Sequence, residues 1–269
     1  MIEKVQYINH LNEIIDFGKE GIFVDKSDIH DFSWDVVSKN NRISSFKKGI
    51  QSRKLPVKVK SADSASIRNS IFEVCEKDVL AVKPGKLIVG NYYMTCYITE
   101  SKKSEYLDEQ YMKATLTVKT DMPYWIKETI FAFDSSSLSA GKNLDYNNDF
   151  AYDYTSNMLT SQIINPNFVA SNFKMKIFGV AQSPELYIGG HEYSVSVDIS
   201  ANEYLTIDST EKTILLTKAD GSTVNCFNLR NKDSYIFEKI QPGASFVSTS
   251  AEFRFEVTLL EERSEPKWT

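Results

Sequence analysis

The feature that most constrains the fold of this chain is an alternation of apolar and polar residues in many short segments. In residues 112–119 apolar side chains alternate with Lys or Thr, and the same period recurs in residues 173–177, 193–199 and 253–259. Successive side chains of a strand point to opposite faces, so this pattern predicts strands with one buried and one solvated side. The 14 Tyr and 16 Phe, against 11 Gly and 7 Pro, are typical of a β-rich fold.

One segment has a different period. In residues 64–76 the apolar positions Ile67, Ile71, Val74 and Cys75 are spaced i, i+4, i+7 and i+8. This spacing places them on one face of a helix. The sequence therefore predicts a fold that is mainly β with a minor helix.

The distribution of these patterns predicts two domains. Residues 1–130 combine strands with the helix and are predicted to form an α+β domain. Residues 131–164 are polar, Tyr-rich and poor in aliphatic side chains, and are interpreted as a connecting segment. Residues 165–269 show only strands, separated by turn signals such as Asp220-Gly221 and Pro242-Gly243, which is typical of a β-sandwich. The first of these turns is predicted to join strands over residues 213–217 and 223–229.

Charge and cysteine content exclude several classes of protein. The net charge is −5, and residues 1–130 carry 20 basic and 18 acidic side chains, so sequence-specific nucleic-acid binding is not expected. The three cysteines, Cys75, Cys96 and Cys226, have wide spacings and form no C-x-x-C motif. An odd number of cysteines without an apolar leader predicts synthesis in a reducing cytoplasm, and no segment is apolar enough to predict membrane insertion.

No catalytic, cofactor-binding or metal-binding constellation is found in the sequence. His191-Glu192 begins like H-E-x-x-H, but Val195 stands where the second histidine should be, and the segment alternates like a strand. Asp145, Asn147 and Asp149 imitate the start of a calcium loop whose central Gly and final Glu are missing. We therefore predict that the protein is not an enzyme and has no cofactor, although paired carboxylates brought together only in space would leave no motif.

A basic segment is the main candidate for an interaction surface. Residues 42–60 contain seven cations and no acidic residue. One interpretation is a solvated hairpin whose charges protect its edges, and the other is a protruding arm that meets an acidic surface on a neighbour. The candidate partner-interface residues are Arg42, Lys47, Lys48, Arg53 and Lys54.

A series of short motifs follows one another along nearly the whole chain. These motifs are the helix with Lys77-Asp78-Val79-Leu80, Pro84-Gly85-Lys86-Leu87, Tyr93, Cys96-Tyr97-Ile98, the run from Asp149 to Tyr154, Ile188-Gly189-Gly190, Tyr193, the run from Leu205 to Asp208, Asp220-Gly221, Asn228, and the run from Ile240 to Gly243. In this order and spacing the chain resembles a known family, the distal tail proteins of long-tailed, non-contractile phages and prophages of Gram-positive bacteria. The resemblance depends on the order of the motifs rather than on any single one.

The resemblance implies a structural role at the tail tip of a virion. It implies an N-terminal domain that forms a hexameric ring and a C-terminal galectin-like β-sandwich. The expected partners are other copies of the chain, the major tail tube protein, the tail-associated hub or lysin protein and, as in some family members, a receptor-binding protein. Family members form the ring with a β-hairpin arm, for which residues 42–60 are the candidate.

Two other functions are compatible with the sequence. The tyrosine content allows stacking on sugars, as in a carbohydrate-binding adhesion module for the host cell surface, although most aromatic residues share faces with aliphatic ones. A cell-wall hydrolase is the least supported alternative, because no catalytic motif is present.

Overall fold

The computed structural model describes residues 4–19, 21–108, 110–134 and 162–267, which form two compact units. Unit 1 comprises residues 1–127 and 263–269, and unit 2 comprises residues 128–262. The division between them falls within one strand, Trp125–Phe133. The predicted connecting segment, residues 131–164, lies mostly outside the described residues, as does the calcium-like sequence 145–149.

Unit 1 contains most of the long strands. In the described part of the chain its elements are β1 (Val5–Ile8), β2 (Ile14–Asp16), β3 (Ile22–Val24), β4 (Asp35–Lys39), β5 (Arg42–Lys47), β6 (Gln51–Lys60), helix α1 (Ser64–Ala81), β7 (Gly85–Val89), β8 (Tyr92–Asp108), β9 (Tyr111–Thr120) and the start of β10 (Trp125–Phe133).

The core of unit 1 is built by the alternation seen in the sequence. Strand β9 pairs antiparallel with β6 and with β8, and Leu55 of β6 lies opposite Leu116 of β9. Both side chains are buried, as are Val57 and Val59 at the next inward positions of β6. Helix α1 adds Ile71 and other apolar residues of its inner face to this core. Burial of this continuous apolar surface provides most of the stability of the unit.

Helix α1 is five residues longer than the sequence predicts. It continues from Glu76 to Ala81 and ends at Val82, which adopts a left-handed conformation with φ +53°. This conformation lets the backbone N–H of Val82 bond to the carbonyl of Val79, and Pro84 follows two residues later. The prediction stopped early because Lys77 and Asp78 interrupt the apolar pattern, although Asp78 is fully buried.

Unit 2 consists of short strands arranged in two main sheets and one small pair. Its described elements are the rest of β10, then β11 (Gln162–Asn165), β12 (Asn172–Phe178), β13 (Ala181–Gln182), β14 (Glu185–Ile188), β15 (His191–Ser194), β16 (Asp198–Ile199), β17 (Tyr204–Asp208), β18 (Thr213–Thr217), β19 (Thr223–Asn225), a 3-10 turn (Phe227–Leu229), β20 (Gly243–Thr249) and β21 (Phe255–Arg263).

The two main sheets of unit 2 share one hydrophobic core. One contains β21, β12, β17, β18 and β19, and the other has the order β11-β20-β14-β15. Phe173 of the first sheet meets Tyr193 of the second edge to face, with ring centroids 5.3 Å apart. The prediction of a mainly β fold with one helix is confirmed over the described residues, whereas the galectin-like detail stays a prediction.

Two predicted strands of unit 2 are shorter than their patterns suggest. The alternation in 193–199 is divided between β15 and β16, because Val195 leaves the ladder to form a bridge with Arg230. The strand predicted over 223–229 ends at Asn225, whose side-chain oxygen accepts the backbone N–H of Phe227 at 2.9 Å. Such a local bond competes with the strand ladder and turns the chain.

Candidate interaction surface

The most exposed part of unit 1 is the hairpin formed by β4 and β5. Its two-residue turn is Asn40-Asn41, and both residues adopt positive φ, +50° and +60°. Two successive positive φ values define the turn type whose twist matches that of the flanking strands, and Asn tolerates this conformation better than most residues. The local sequence therefore determines where this hairpin turns.

Neither strand of this hairpin joins a larger sheet within the described residues. The two strands form a separate two-stranded sheet, and all but one of their residues are exposed. Ile43 is 62% exposed and Phe46 is 56% exposed. A two-stranded hairpin by itself is at best marginally stable in water, and large exposed apolar side chains on one are typical of an interaction surface.

A bulge at Ser44 gives the hairpin one apolar and one polar face. Val36 lies opposite Phe46, and Ser38 lies opposite Ile43, while Ser44 between them is unpaired. The Ser44 hydroxyl donates to the carbonyl of Val37 at 2.9 Å. Because the extra residue shifts the alternation by one, Ile43 shares the face of Phe46 although the two are an odd number of positions apart.

The opposite face of the hairpin carries its charges. Asp35 lies opposite Lys47, and Lys39 lies opposite Arg42 next to the turn. Arg42 and Lys47 are both exposed. These two predicted interface residues are therefore accessible, on the face opposite Ile43 and Phe46.

Lys48 holds the base of the hairpin. Its ammonium group donates to the carbonyl of Pro123 at 3.2 Å and to the Ser264 hydroxyl at 2.7 Å. It also lies 4.6 Å from the ring centroid of Trp34 and 4.2 Å from that of Tyr124. Burial lowers the pKa of Lys48 to about 8, with a smaller contribution from the nearby charge of Arg53. Lys48 thus anchors the hairpin to the body of unit 1.

Arg53 and Lys54 belong to the core strand β6 and not to the hairpin. Arg53 is only 4% exposed, and its guanidinium donates to the carbonyl of Ile29. The ammonium of Lys54 donates to the Thr117 hydroxyl at 2.8 Å and lies 3.6 Å from Glu100. Burial lowers the pKa of Arg53. Arg53 therefore offers no accessible surface to a partner in the single chain.

The exposed hairpin is thus formed by residues 35–47 rather than by residues 42–60. Within β6, Arg53 is in phase with the buried residues Leu55, Val57 and Val59, a period-two signal that distinguishes it from the hairpin cations. The apolar face of the hairpin was not predicted, because nothing in the local sequence distinguishes Ile43 and Phe46 from apolar side chains that enter the core. The positions of Asn40 and Asn41 could have revealed the turn.

The described residues contain no group of three or more His, Cys, Asp or Glu side chains that could hold a metal ion. His191 and Glu192 lie on a strand, as the alternation predicts. The three cysteines are free thiols with buried side chains, and burial raises the pKa of Cys75 to about 12. Among the described helices, none is long and apolar enough to cross a membrane.

No family model and no curated protein matches this chain in sequence, but solved structures share its fold. One is the SPP1 Dit (gp 19.1) protein, described as a paradigm of the hub adsorption apparatus in phages that infect Gram-positive bacteria. It is 9% identical with a TM-score of 0.60, covering 98% of this chain and 100% of that one.

Two further structures come from the baseplate of phage P2 in its activated conformation. The chain from the form with calcium is 12% identical with a TM-score of 0.61, and the chain from the form with strontium is 11% identical with a TM-score of 0.59. Each match covers 99% of this chain and 100% of the other. The predicted resemblance to phage distal tail and baseplate proteins is therefore confirmed for the fold.

Proposed function

We propose that this chain is a structural component of a phage or prophage tail tip, in which its copies form a hexameric ring. The fold is shared over almost the whole chain with a phage hub protein and with baseplate chains. A ring of this kind links the tail tube protein on one side to the tail-associated hub or lysin protein on the other. Its outer domain can hold a receptor-binding protein.

The amphipathic hairpin β4–β5 is the observation that carries this proposal. A closed ring requires each copy to present a surface that the next copy covers. The hairpin extends apolar side chains into solvent on a ribbon that a single copy leaves uncovered. Covering this face with a neighbour would remove Ile43 and Phe46 from water, which favours association.

In this role the protein works through surfaces and has no reaction to catalyse. The predicted absence of enzymatic activity agrees with fold relatives that are hub and baseplate proteins. We place the assembled protein at the virion tail tip, after synthesis in the cytoplasm of a bacterial host. The predicted partner-interface role of Arg42 and Lys47 belongs to this proposal, since both lie on the hairpin.

Native mass spectrometry and negative-stain electron microscopy of the full chain test the ring. We expect hexamers in the natural sequence and monomers when Ile43→Ser is combined with Phe46→Ser. The matched control is Phe23→Ser, which changes a comparably exposed apolar residue on β3 and should leave the hexamer intact. A natural chain that stays monomeric at its highest soluble concentration would contradict the proposal.

A second candidate function, carbohydrate binding, is favoured by the outer face of sheet β11-β20-β14-β15. Phe246 is 71% exposed there, and Tyr187 lies opposite Glu192 on the neighbouring strand. The Glu192 carboxylate accepts bonds from Ser194 at 2.6 Å and Asn231 at 2.7 Å, which fixes its orientation. An aromatic surface beside oriented polar groups suits sugar binding.

A glycan array tests this second function. Binding that disappears with Phe246→Ala and persists with the control Val224→Ala, an exposed apolar residue on β19, would support it. If the protein binds no bacterial cell-wall glycan, the carbohydrate-binding function is rejected and only the structural role remains.

A further inference from the structure

One sheet of unit 1 concentrates lysines on its outer side. Strands β3, β6, β9 and β8 pair in this order, and on β6 and β9 the outward residues alternate with buried ones. We call the outward side of these four strands the lysine face. Among the described residues its lysines are Lys54, Lys58, Lys60, Lys102, Lys113 and Lys119. All are exposed except Lys58 and Lys113, which are partly buried.

Carboxylates offset only part of the charge of the lysine face. Asp25 lies 2.6 Å from one lysine of β6, and Glu100 lies 3.6 Å and 3.5 Å from two other lysines of the face. Asp121 follows the end of β9, at the margin of the face. Within the described part of the chain, no ion pair involves Lys60 or Lys119. These two exposed lysines are therefore available to an anionic partner.

Two lysines of the face lie directly opposite each other. Lys58 of β6 and Lys113 of β9 are partners in the antiparallel ladder, and like charges at directly opposed positions destabilise a sheet. Asp25 offsets part of the repulsion, because its pKa is lowered mainly by the hydrogen bond from Lys58 and to a smaller extent by the charge of Lys113. An anion above the sheet would relieve the rest of the repulsion.

Aromatic side chains of this face stand directly opposite lysines. The ladder pairs are Phe23 with Lys58, Tyr111 with Lys60, and Tyr97 with Lys119. Phe23 is 52% exposed, and both tyrosines are partly exposed. Side chains at directly opposed positions of an antiparallel ladder are close neighbours. The lysine face therefore offers an aromatic ring and an ammonium group side by side at three places.

The composition of the face favours a nucleic acid over an acidic protein as its partner. Protein interfaces are depleted in Lys and enriched in Arg, whereas the described residues of this face include no arginine, because Arg53 of β6 points into the core. Lysine binds phosphate as a point charge, and threonine hydroxyls also donate to phosphates. Thr115 is partly exposed opposite Lys102. Aromatic rings add a stacking surface that every base can use.

We infer that the lysine face binds single-stranded nucleic acid without sequence preference, with its lysines on the phosphates and its aromatic rings against unpaired bases. The bases of a duplex stack on one another and are not free to stack on a protein ring, so a single strand fits this face better. Residues 131–269 have 18 acidic and 11 basic side chains, which disfavours binding of a polyanion there. The inference goes beyond the proposed ring and does not depend on it.

Fluorescence anisotropy of a labelled oligothymidylate of about 20 nucleotides, titrated with the full chain, tests the lysines. Lys60→Gln combined with Lys119→Gln should weaken binding about tenfold, and the slope of log affinity against log salt should become shallower by about 0.7 for each ammonium lost. The matched control is Lys218→Gln with Lys232→Gln, which removes two exposed lysines of unit 2 and changes the net charge equally. It should bind like the natural chain, and an equal loss in the control would overturn the assignment to this face.

Phe23→Ala tests the stacking of bases in the same assay. The substitution should weaken binding of the oligothymidylate about tenfold, because it removes an exposed ring, and it should leave the salt slope unchanged, because it removes no charge. The matched control is Phe168→Ala, which removes an exposed ring of unit 2 and should have no effect. Natural affinity in Phe23→Ala would overturn the role of the aromatic rings.

Competition with three other polyanions distinguishes the possible partners. A DNA duplex of the same length, inorganic polyphosphate and an oligoglutamate peptide should each compete about tenfold less well than the unlabelled oligothymidylate. Polyphosphate that competes equally would show that the face recognises phosphate without bases and would overturn the inference. Stronger competition by oligoglutamate would assign the face to an acidic protein, and a chain that binds no oligothymidylate at low salt would also overturn it. None of these outcomes depends on whether the chain forms a ring.

Discussion

Two hairpins of unit 1 that have two-residue turns, β4–β5 and β7–β8, differ in what covers them. The β7–β8 turn is Gly90-Asn91, with φ +58° at Gly90, and β7 also pairs with β1. Leu87 of β7 is 0% exposed, whereas Ile43 of β5 lies mostly in water. Local turn chemistry thus explains both hairpins, but their burial depends on whether other elements of the unit pack against them.

The largest expected difference between the hairpins comes from truncating one apolar side chain in each. Leu87→Ala leaves a cavity in a closed core and should lower the free energy of unfolding by about 2–5 kcal/mol. Ile43→Ala should change the stability of the monomer by less than about 0.5 kcal/mol, since its side chain is already solvated. Urea unfolding followed by the fluorescence of Trp34 and Trp125 in unit 1 measures both. Equal losses would remove the distinction between the hairpins.

The next largest difference in stability between the hairpins is expected from substituting a glycine near each of them. A Cβ at Gly85 would clash with the Asp78 carboxylate and lie 2.6 Å from the Tyr7 hydroxyl, so Gly85→Ala should cost about 1–3 kcal/mol. At Gly49 the nearest atom is the Asp35 carboxylate at 3.4 Å, and Gly49→Ala should be nearly neutral. The same unfolding measurement applies, and a neutral Gly85→Ala would show that the Asp78 region relaxes easily.

The two turns provide a smaller test. Asn41→Ala places a residue that disfavours positive φ at +60° and should destabilise the hairpin by about 1 kcal/mol. On the proposed role of that hairpin in the ring, the effect should appear as weaker self-association in analytical ultracentrifugation, with monomer unfolding unchanged. Asn41→Gly should associate like the natural chain. Gly90→Ala should show the reverse, a loss of monomer stability. If Asn41→Ala lowers monomer stability, or if Gly90→Ala leaves it unchanged, the proposed difference between the two turns is wrong.

The smallest effect concerns Lys48 at the base of the exposed hairpin. Its pKa is lowered from 10.5 to about 8, so between these values the unfolded chain binds more protons than the folded one. Stability should therefore rise slightly as the pH increases from about 8 toward 10.5. Half-exposure keeps the effect small. Lys48→Met should flatten this part of the plot of unfolding free energy against pH, measured by the same fluorescence assay. An unchanged slope would mean that another group causes the pH dependence.

Much of the fold followed from periodicity, since alternation located the core strands and the helical spacing located α1. Periodicity failed where the burial of a side chain depends on a tertiary contact instead. Asp78 ended the predicted helix because it is charged, yet Tyr7 and His10 make its burial favourable. Tertiary partners of this kind lie far away in the sequence and leave no local signal.

The sequence predicted that the candidate surface carries basic residues, but not which residues form its exposed hairpin. Counting cations grouped Arg42 with Arg53, whereas the alternation of β6 places Arg53 among buried residues. The apolar face of the hairpin depends on the bulge at Ser44, which only the pairing register reveals. The exposure of Ile43 and Phe46 follows from the tertiary fold and leaves no local signal in the sequence.

The bulge at Ser44 also makes the hairpin sensitive to the parity of its length. Insertion or deletion of two residues in β5 would preserve which side chains share a face. Removing Ser44 alone would also preserve it, because Ile43 and Phe46 would then be two positions apart in a regular ladder. A change of one residue between Ile43 and Phe46 therefore removes the need for a bulge, whereas a change of two residues keeps that need.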